Sequence, residues 1–582
     1  MFTASCGYWE RPWGEFMRGI IVGSFWLMAL AALFLVGQPF QHVPLGIVSD
    51  WTHHRLLYPA SNNPAVMARI RQDPRWVQNW YLRNPQAWWP QHRWPGQSNT
   101  GSHRDWNILL STSVTGGQTF PAKYVFDVTA APSCTSDYVA IGVPVTTAST
   151  TNANLIAVNN LYSYQGTPSP TPTAFCTTNG PTVMFAYASG TGGVPASVVI
   201  SPNGKQIAYI ENITAGTGAG SSYFHVLTIG TTGSNGTSAS AAVVPGTGNN
   251  AVDNRLLLSP DGGTTNENST TTPFVDYADN VAYVDTYGTG TGYIYKIANV
   301  FSASPAATPT MVWHYQLPAA YPSTLVYDYA TKRIFFTDST FHIDYLPDNG
   351  STNGTLVQST GACIFDATVT GPVIVDSTNQ LVYGYFESNA TNAVIVQAPF
   401  SLASCVAAPV GTKSTGGIQP LAPDFNNSWY TGATSPAPLI YASGTGTGEL
   451  ATLYSIGFSS ATPGATMLTT STDLGALASA TGADSSPVTE FYNTLTKAEY
   501  LFVGITNHCI ATTHGGTAGC VLSLNITSGA PTINAGTTAI AAAGGTSGIT
   551  VDNNSSAVEA SSVYYATKTG TNLVKATQSG LQ

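Results

Sequence analysis

Charge is what this sequence has least of. Asp, Glu, Lys and Arg together make up 8% of its 582 residues, against about 25% in an average soluble domain. Long surface helices draw their solvent face from such side chains, so the shortage, with many β-branched residues present, argues for strands. A solvated disordered chain is excluded too, because 29 Tyr and 22 Phe supply ample apolar surface to bury. Cysteine is also sparse. The seven present include no C-x-x-C and no Cys/His cluster, which leaves no zinc ribbon and no haem-attachment motif. The G-x-S-x-G turn of many serine hydrolases is absent as well.

The few charges are unevenly divided. Residues 1–106 carry nine bases against five acids, a net of +4, and the remainder carries ten bases against twenty-four acids, a net of −14. A body that acidic repels phosphate backbones, so nucleic acid is not an expected partner.

Gly19–Gly37 is a run of nineteen residues without charge. That length spans a hydrocarbon core of about 30 Å, and Arg11 and Arg18 ahead of it place residues 1–18 in the cytoplasm. The chain is therefore expected to be exported, to the periplasm, the outer surface or the medium. Residues 19–37 are either a retained membrane anchor or a cleaved signal peptide, since Leu35-Val36-Gly37 is no clean small-x-small site. Export makes disulfides the expected state of the cysteines beyond Cys6. Proximity pairs them as Cys134 with Cys176, Cys363 with Cys405, and Cys509 with Cys520.

Residues 38–105 read as a linker rich in Trp and Arg, with Trp51, Trp76, Trp80, Trp88, Trp89 and Trp94 among Arg69, Arg71, Arg75 and Arg83. Asn63-Pro64 and Asp73-Pro74 predict two short helices, each with a capping residue followed by proline at the first helical position. Trp and Arg are favoured at interfaces, so the segment is either a docking module or a stalk packed on the body. His53-His54 does not read as a metal pair, because adjacent side chains point different ways and no carboxylate cluster accompanies them.

From residue 106 to 582 one unit recurs. Its template is 196–229, where Val198–Ile200 and Ile207–Ile210 flank Ser201-Pro202-Asn203-Gly204-Lys205. Proline pre-sets φ there, Asn-Gly tolerates positive φ, and Tyr223–Ile229 alternates as a third strand. Further first strands end at Phe126-Asp127, Val275-Asp276, Tyr327-Asp328, Val375-Asp376, Pro423-Asp424, Thr489-Glu490 and Val551-Asp552. Aromatic and β-branched second strands follow, then third strands, and looser fourth strands such as PTVMFAY, ASAAVV and TMVWHY. Four-stranded units at a period of about 40–60 residues read as the blades of one all-β propeller. The count is about eight, with seven the alternative because uneven loops separate 418–458 from 484–526. The last unit shows only three strands, and Asp105–Leu110 is an unassigned strand ahead of the first. The two ends are therefore expected to share a sheet and close the ring. A pair of β-sandwiches is the competing architecture.

The repeated h-h-D-x-x-x-x-h-h-Y-h pattern, with SPNGKQIAYI at 201–210, resembles the blades of TolB-like, NHL-like and YVTN-type bacterial β-propellers over residues 106–578. The resemblance implies architecture and not activity, because such propellers include lyases, lactonases and pure binding scaffolds. The whole chain also resembles exported bacterial repeat proteins that join a hydrophobic start to a Trp/Arg-rich segment and a Ser/Thr/Gly-rich body. A quinoprotein site is not implied: those resemble vicinal cysteines with tryptophan docking motifs, and only Trp313 and Trp429 follow Trp106.

The most repeated polar residue is the first-strand acid: Asp127, Asp276, Asp328, Asp376, Asp424 and Asp552, with Glu490 in an equivalent slot. First strands line a propeller's axis, so these acids at one mouth would suit a hydrated cation or a cationic ligand. The simpler reading is that each caps its own hairpin as an Asx turn. No cofactor is implied. The body's histidines, His225, His314, His342, His508 and His514, fall in different units without a paired motif, so no catalytic residue is assigned. The expected function is binding or scaffolding at the cell envelope, with an envelope protein or a glycan as partner. An envelope lyase or hydrolase with an acidic mouth site is the alternative, and a surface-layer component the third reading.

Overall fold

The structure, a computed structural model, describes residues 46–58, 63–83 and 102–581, less the loops 112–118, 166–174, 216–218, 261–267, 361–368, 388–392, 412–421 and 513–517 and a few shorter stretches. The expected hydrophobic helix Gly19–Gly37 lies outside the described residues, as do Trp88, Trp89, Trp94 and Cys363. Among the described residues no helix is long and apolar enough to cross a membrane.

Eight sheets succeed one another along the chain, each with a four-stranded antiparallel core; seven of the cores are meanders, and the eighth takes its outer strand from residues 103–109. Their first strands are Ala122–Val125, Val199–Ile200, Phe274–Asp276, Val326–Asp328, Ile374–Asp376, Asp424–Phe425, Thr489–Asn493 and Thr550–Asp552. A twisted sheet cannot bury both faces alone, and here each face meets a neighbour. Apolar clusters fill the gaps in turn: Tyr138 with Ile207 between sheets 1 and 2, Phe224 with Tyr295 between 2 and 3, and Phe274 with Phe335 and Val375 from 3 through 5. Tyr383 with Phe425 joins 5 and 6, Leu453 with Leu501 joins 6 and 7, and Phe502 with Val563 joins 7 and 8. The last gap, between 8 and 1, holds Trp106, Tyr564 and Val139. The ring is closed, so separate sandwiches are excluded and segments 418–458 and 484–526 are distinct blades.

The template turn forms as its residues require. Gly204 sits at φ +67°, its amide donates to Ser201 O at 2.9 Å, and Asn203 Oδ1 accepts from Lys205 N at 3.0 Å. Three sequence placements are corrected. The apolar run 239–244 is not the fourth strand of sheet 2, which is Val252–Leu257. Val243 instead exchanges backbone hydrogen bonds with Ala186 and Ala188, extending the outer edge of sheet 1. Asp424 opens its strand rather than ending it, and the seventh first strand runs past Glu490 to Asn493, whose Oδ1 caps the turn through Thr496 N.

The segment ahead of the ring is built into it. β1 (Ile47–Ser49) adds antiparallel to Ala122–Val125 of sheet 1. β2 (Leu56–Leu57) runs parallel to Ile374–Asp376 of sheet 5. The two predicted helices follow as α1 (Pro64–Ile70) and α2 (Pro74–Arg83), with Asn63 Oδ1 accepting from Ala65 N and Asp73 Oδ1 from Arg75 N. Sheets 1 and 5 are opposite in a ring of eight, so a chain pairing with both crosses the axis. β3 (His103–Leu109) then lies antiparallel to Asn572–Thr577 as the outermost strand of sheet 8, which joins the two ends of the body as the 105–110 run predicts.

Two disulfides, Cys134–Cys176 and Cys509–Cys520, match the proximity pairing. Cys405 is also disulfide-bonded.

Candidate functional site

Where segment 46–83 crosses the ring it brings cations to the first-strand acids. Spacings of three and four along α2 put Trp76, Asn79, Trp80 and Arg83 on one side and Arg75 and Gln78 on another. Arg75 is 2% exposed. It holds Asp73 through two nitrogens at 2.8 and 2.7 Å, donates to Val275 O at 2.6 Å, and lies 4.0 Å over the Phe274 ring. Arg69 on α1 pairs with Asp276 and Asp279 of sheet 3. Across the axis, Arg83 donates to Glu490 Oε2 of sheet 7 at 2.8 Å and stacks 4.0 Å over Tyr430. His54 Nδ1 stands 3.2 Å from Asp424 Oδ2 of sheet 6, Tyr430 donates its hydroxyl to Asp424 Oδ1 at 2.8 Å, and Glu490 N donates to Asp424 Oδ2 at 2.7 Å.

These contacts set the titration of the cluster. Burial resists ionisation of Asp424, but His54, the Glu490 amide and Arg55 outweigh it and hold its pKa low. Burial likewise opposes the charge on Arg83, and Glu490 overcomes it, leaving the pKa raised. Burial, and then the neighbouring Glu490 carboxylate, push the Glu499 pKa well up. His53 is held well below its ordinary value by burial and by nearby His54, Arg75 and Arg83. Acids and bases here neutralise one another under a covering segment, which is the arrangement of a clamp.

The seven expected carboxylates fall into two groups. Asp127, Asp328 and Asp376 accept from the amides of Thr129, Thr331 and Asn379 in their own turns. Asp276 accepts from Ala278 N and also meets Arg69. Asp424 and Glu490 meet His54 and Arg83, while Asp552 pairs at 2.6 Å with the buried Lys123 of sheet 1. The structure does not assemble them into one ring of free acids. Sequence reasoning names Arg69, Arg75 and Arg83 as parts of a docking or packed segment but assigns them no acids, and it does not single out Tyr430 or Glu499. The signal that points to these arginines is the charge split itself, a basic start ahead of an acidic body.

Two spaces adjoin the cluster. A small pocket of about 40 Å³ lies between segment 46–83 and sheets 6 to 8, lined among others by Asp50, His53, Gln78 and Asn79. Asp50 Oδ2, both His53 ring nitrogens, Gln78 Oε1 and Asn79 Oδ1 are buried without a protein partner, and the volume suits a few hydrogen-bonded waters. The second space is an open groove of about 470 Å³ between α2 and sheets 5 and 6. Tyr58, Trp76, Trp80, Trp429 and Tyr430 supply its rings, with Thr378, Asn379 and Arg83 as polar neighbours. Trp76 and Trp80 stack at 6.0 Å between ring centroids.

Of the body's histidines, His225 lies buried between two acids, with Nε2 2.9 Å from Glu211 and Nδ1 3.0 Å from Asp253. It is 0% exposed inside sheet 2, away from the mouth cluster. Burial lowers its pKa and the two carboxylates more than reverse this, to about 9.

Closed sheets around an axis, with both ends in one sheet, decide the architecture. The chain is an eight-bladed β-propeller. No family model matches the chain, and no curated protein matches it by sequence. Among solved structures it is similar to BamB from Moraxella catarrhalis, at 11% identity over 76% of this chain and 96% of BamB, TM-score 0.38. TolB from Acinetobacter baumannii is similar at 11% identity over 56% of this chain and 62% of TolB, TM-score 0.27. A periplasmic gluconolactonase from Pseudomonas aeruginosa, PpgL, is similar at 12% identity over 64% of this chain and 96% of that one, TM-score 0.29. These are likenesses of fold and assign the propeller no activity or partner.

Proposed function

We propose that this propeller is an exported binding or scaffolding protein of the cell envelope, with the groove beside α2 as its working surface and a glycan chain as the ligand. The observation that carries the reading is the stacked Trp76–Trp80 pair facing a groove with Tyr58 and Tyr430. Flat aromatic faces take the C–H face of a sugar ring, and adjacent hydroxyl and amide groups take its hydroxyls. The groove's size falls within the roughly 300–1,000 Å³ of ordinary ligand sites. The disulfides support an oxidising compartment. The mouth acids are engaged in turns and ion pairs, which favours binding over acid–base catalysis.

The test is titration of the protein with envelope-derived oligosaccharides, followed by tryptophan fluorescence. Binding should weaken by about tenfold or more in Trp76→Ala/Trp80→Ala, the loss of two stacking faces, while the melting temperature barely moves. Absence of binding, or binding indifferent to the two rings, overturns the glycan reading. Turnover of a lactone or glycoside abolished by Asp424→Asn overturns the non-catalytic one.

A further inference from the structure

Several buried acids in this propeller face a lysine or an arginine. Asp105 meets Lys575, Asp552 meets Lys123, Asp348 meets Lys296, Asp276 meets Arg69 and Glu490 meets Arg83. Others have none, Asp328 and Asp376 being met by their own turns, and sheet 4 holds two such acids that face each other. Its second strand (Arg333–Thr337) runs away from the covered mouth into Asp338, and the chain returns through His342 to Asp344 at the start of the third strand (Ile343–Pro347). Asp338 is 2% exposed and Asp344 0%. Among the described residues neither is paired with a lysine or arginine.

One oxygen from each acid and one His342 ring nitrogen lie within 4.8 Å of one another. Asp338 is oriented by four donors: Thr340 N, His342 N, Thr340 Oγ1 and Gln358 Nε2. Asp344 is different. Its Oδ2 has a long contact with Gln358 at 3.4 Å, its carboxyl faces that of Asp338 within hydrogen-bond reach, and its Oδ1 is buried with no other partner. Two facing carboxylates and an imidazole, without a resident cation and with an unclaimed oxygen, form a donor set and not a salt bridge. A second trio, His103, Asp105 and Glu559, is equally close, but the Lys575 ammonium already supplies its positive charge.

We infer that Asp338, His342 and Asp344 are the protein ligands of a divalent transition-metal site, of the Zn²⁺ class, at the uncovered end of sheet 4. Imidazole with two carboxylates suits Zn²⁺ better than Ca²⁺ or Mg²⁺, which take larger all-oxygen sets. Three protein ligands leave a fourth position open to water, and the His342 side chain, 17% exposed, gives an ion access from solvent. Bound there, the ion would tie the 338–344 hairpin and draw in the unclaimed Asp344 oxygen.

The full chain, stripped with a chelator and dialysed, is titrated with Zn²⁺ by calorimetry and with Mn²⁺ by electron paramagnetic resonance. About one equivalent should bind, with a rise in melting temperature on adding Zn²⁺. Asp344→Asn and His342→Ala should each lose that equivalent while keeping the circular dichroism spectrum. His342→Ala alters a loop side chain, so it reports even if Asp344→Asn folds poorly. No stoichiometric binding by the parent protein overturns the assignment, as does binding retained in His342→Ala. A Ca²⁺ response matching that for Zn²⁺ overturns the metal class.

Discussion

Residues 46–109 are held to the ring in two places, and the attachments differ in kind. At the seam, β3 makes a strand ladder with Asn572–Thr577, and Trp106 is 1% exposed, donating Nε1 to Leu161 O of sheet 1 at 3.0 Å. Lys575, 0% exposed, sits with Asp105 and Glu559 beneath the ladder. At the mouth, β1 and β2 contribute only short pairings, and α1 and α2 hold on mainly through arginines that reach acids of opposite sheets. The seam is hydrogen-bonded and apolar with charge inside it. The mouth is charge first. A ring needs permanent closure, whereas a covering segment needs only to be matched to what it covers.

The largest test of that contrast is at the seam. Lys575→Met leaves the buried Asp105 and Glu559 to share the one partly exposed His103, and should cost about 3–5 kcal/mol, read as a large fall in the chemical-denaturation midpoint. If the change is neutral, closure rests on the ladder and Trp106 alone. At the mouth, Arg83→Met should cost somewhat less, about 3 kcal/mol, because it strips the cation from one buried carboxylate, Glu490, where Lys575 serves two. Limited proteolysis should then cut within 46–83 before the blades. Equal protection of that segment in mutant and parent would show that it is held by packing instead.

The smallest effect is the pH signature of the seam. Burial lowers the pKa of His103, but hydrogen bonds to Asp105 and Glu559 raise it to about 10. A raised pKa stabilises the fold fully below the ordinary 6.5 and loses that contribution as pH climbs through about 10. Glu559 is the reverse. Burial raises its pKa, His103 and Asp105 pull it down to about 2, and its contribution is complete above 4.5 and lost as pH falls through about 2. The melting-temperature gap between parent and His103→Gln should be widest near pH 5–6 and close by about pH 10. A gap constant with pH would mean that His103 acts by packing.

Much of the fold was legible because its signals are local. Asn203-Gly204 turns, capped helices at Asn63 and Asp73, and alternating strands each depend on residues within a few positions. The unpaired strand at 105–110 announced closure because a three-stranded last unit has an edge to fill. Reading failed where one apolar run had two candidate partners: 239–244 has the pattern of a strand but joins the neighbouring blade. It also failed for Glu490, because an acid inside a strand and an acid at its end look alike without the register.

Alone, the sequence determined blades, their turns, the disulfide pairing among the described cysteines, and a basic start ahead of an acidic body, all properties of composition or short-range spacing. Tertiary structure decided which acids cap turns and which meet arginines, that residues 46–83 cross the axis, and that Asp338 and Asp344 face each other without a cation. Those facts depend on which sheets lie opposite and which strands lie adjacent. Chain geometry sets such distances over separations of up to several hundred residues, where no local pattern records them.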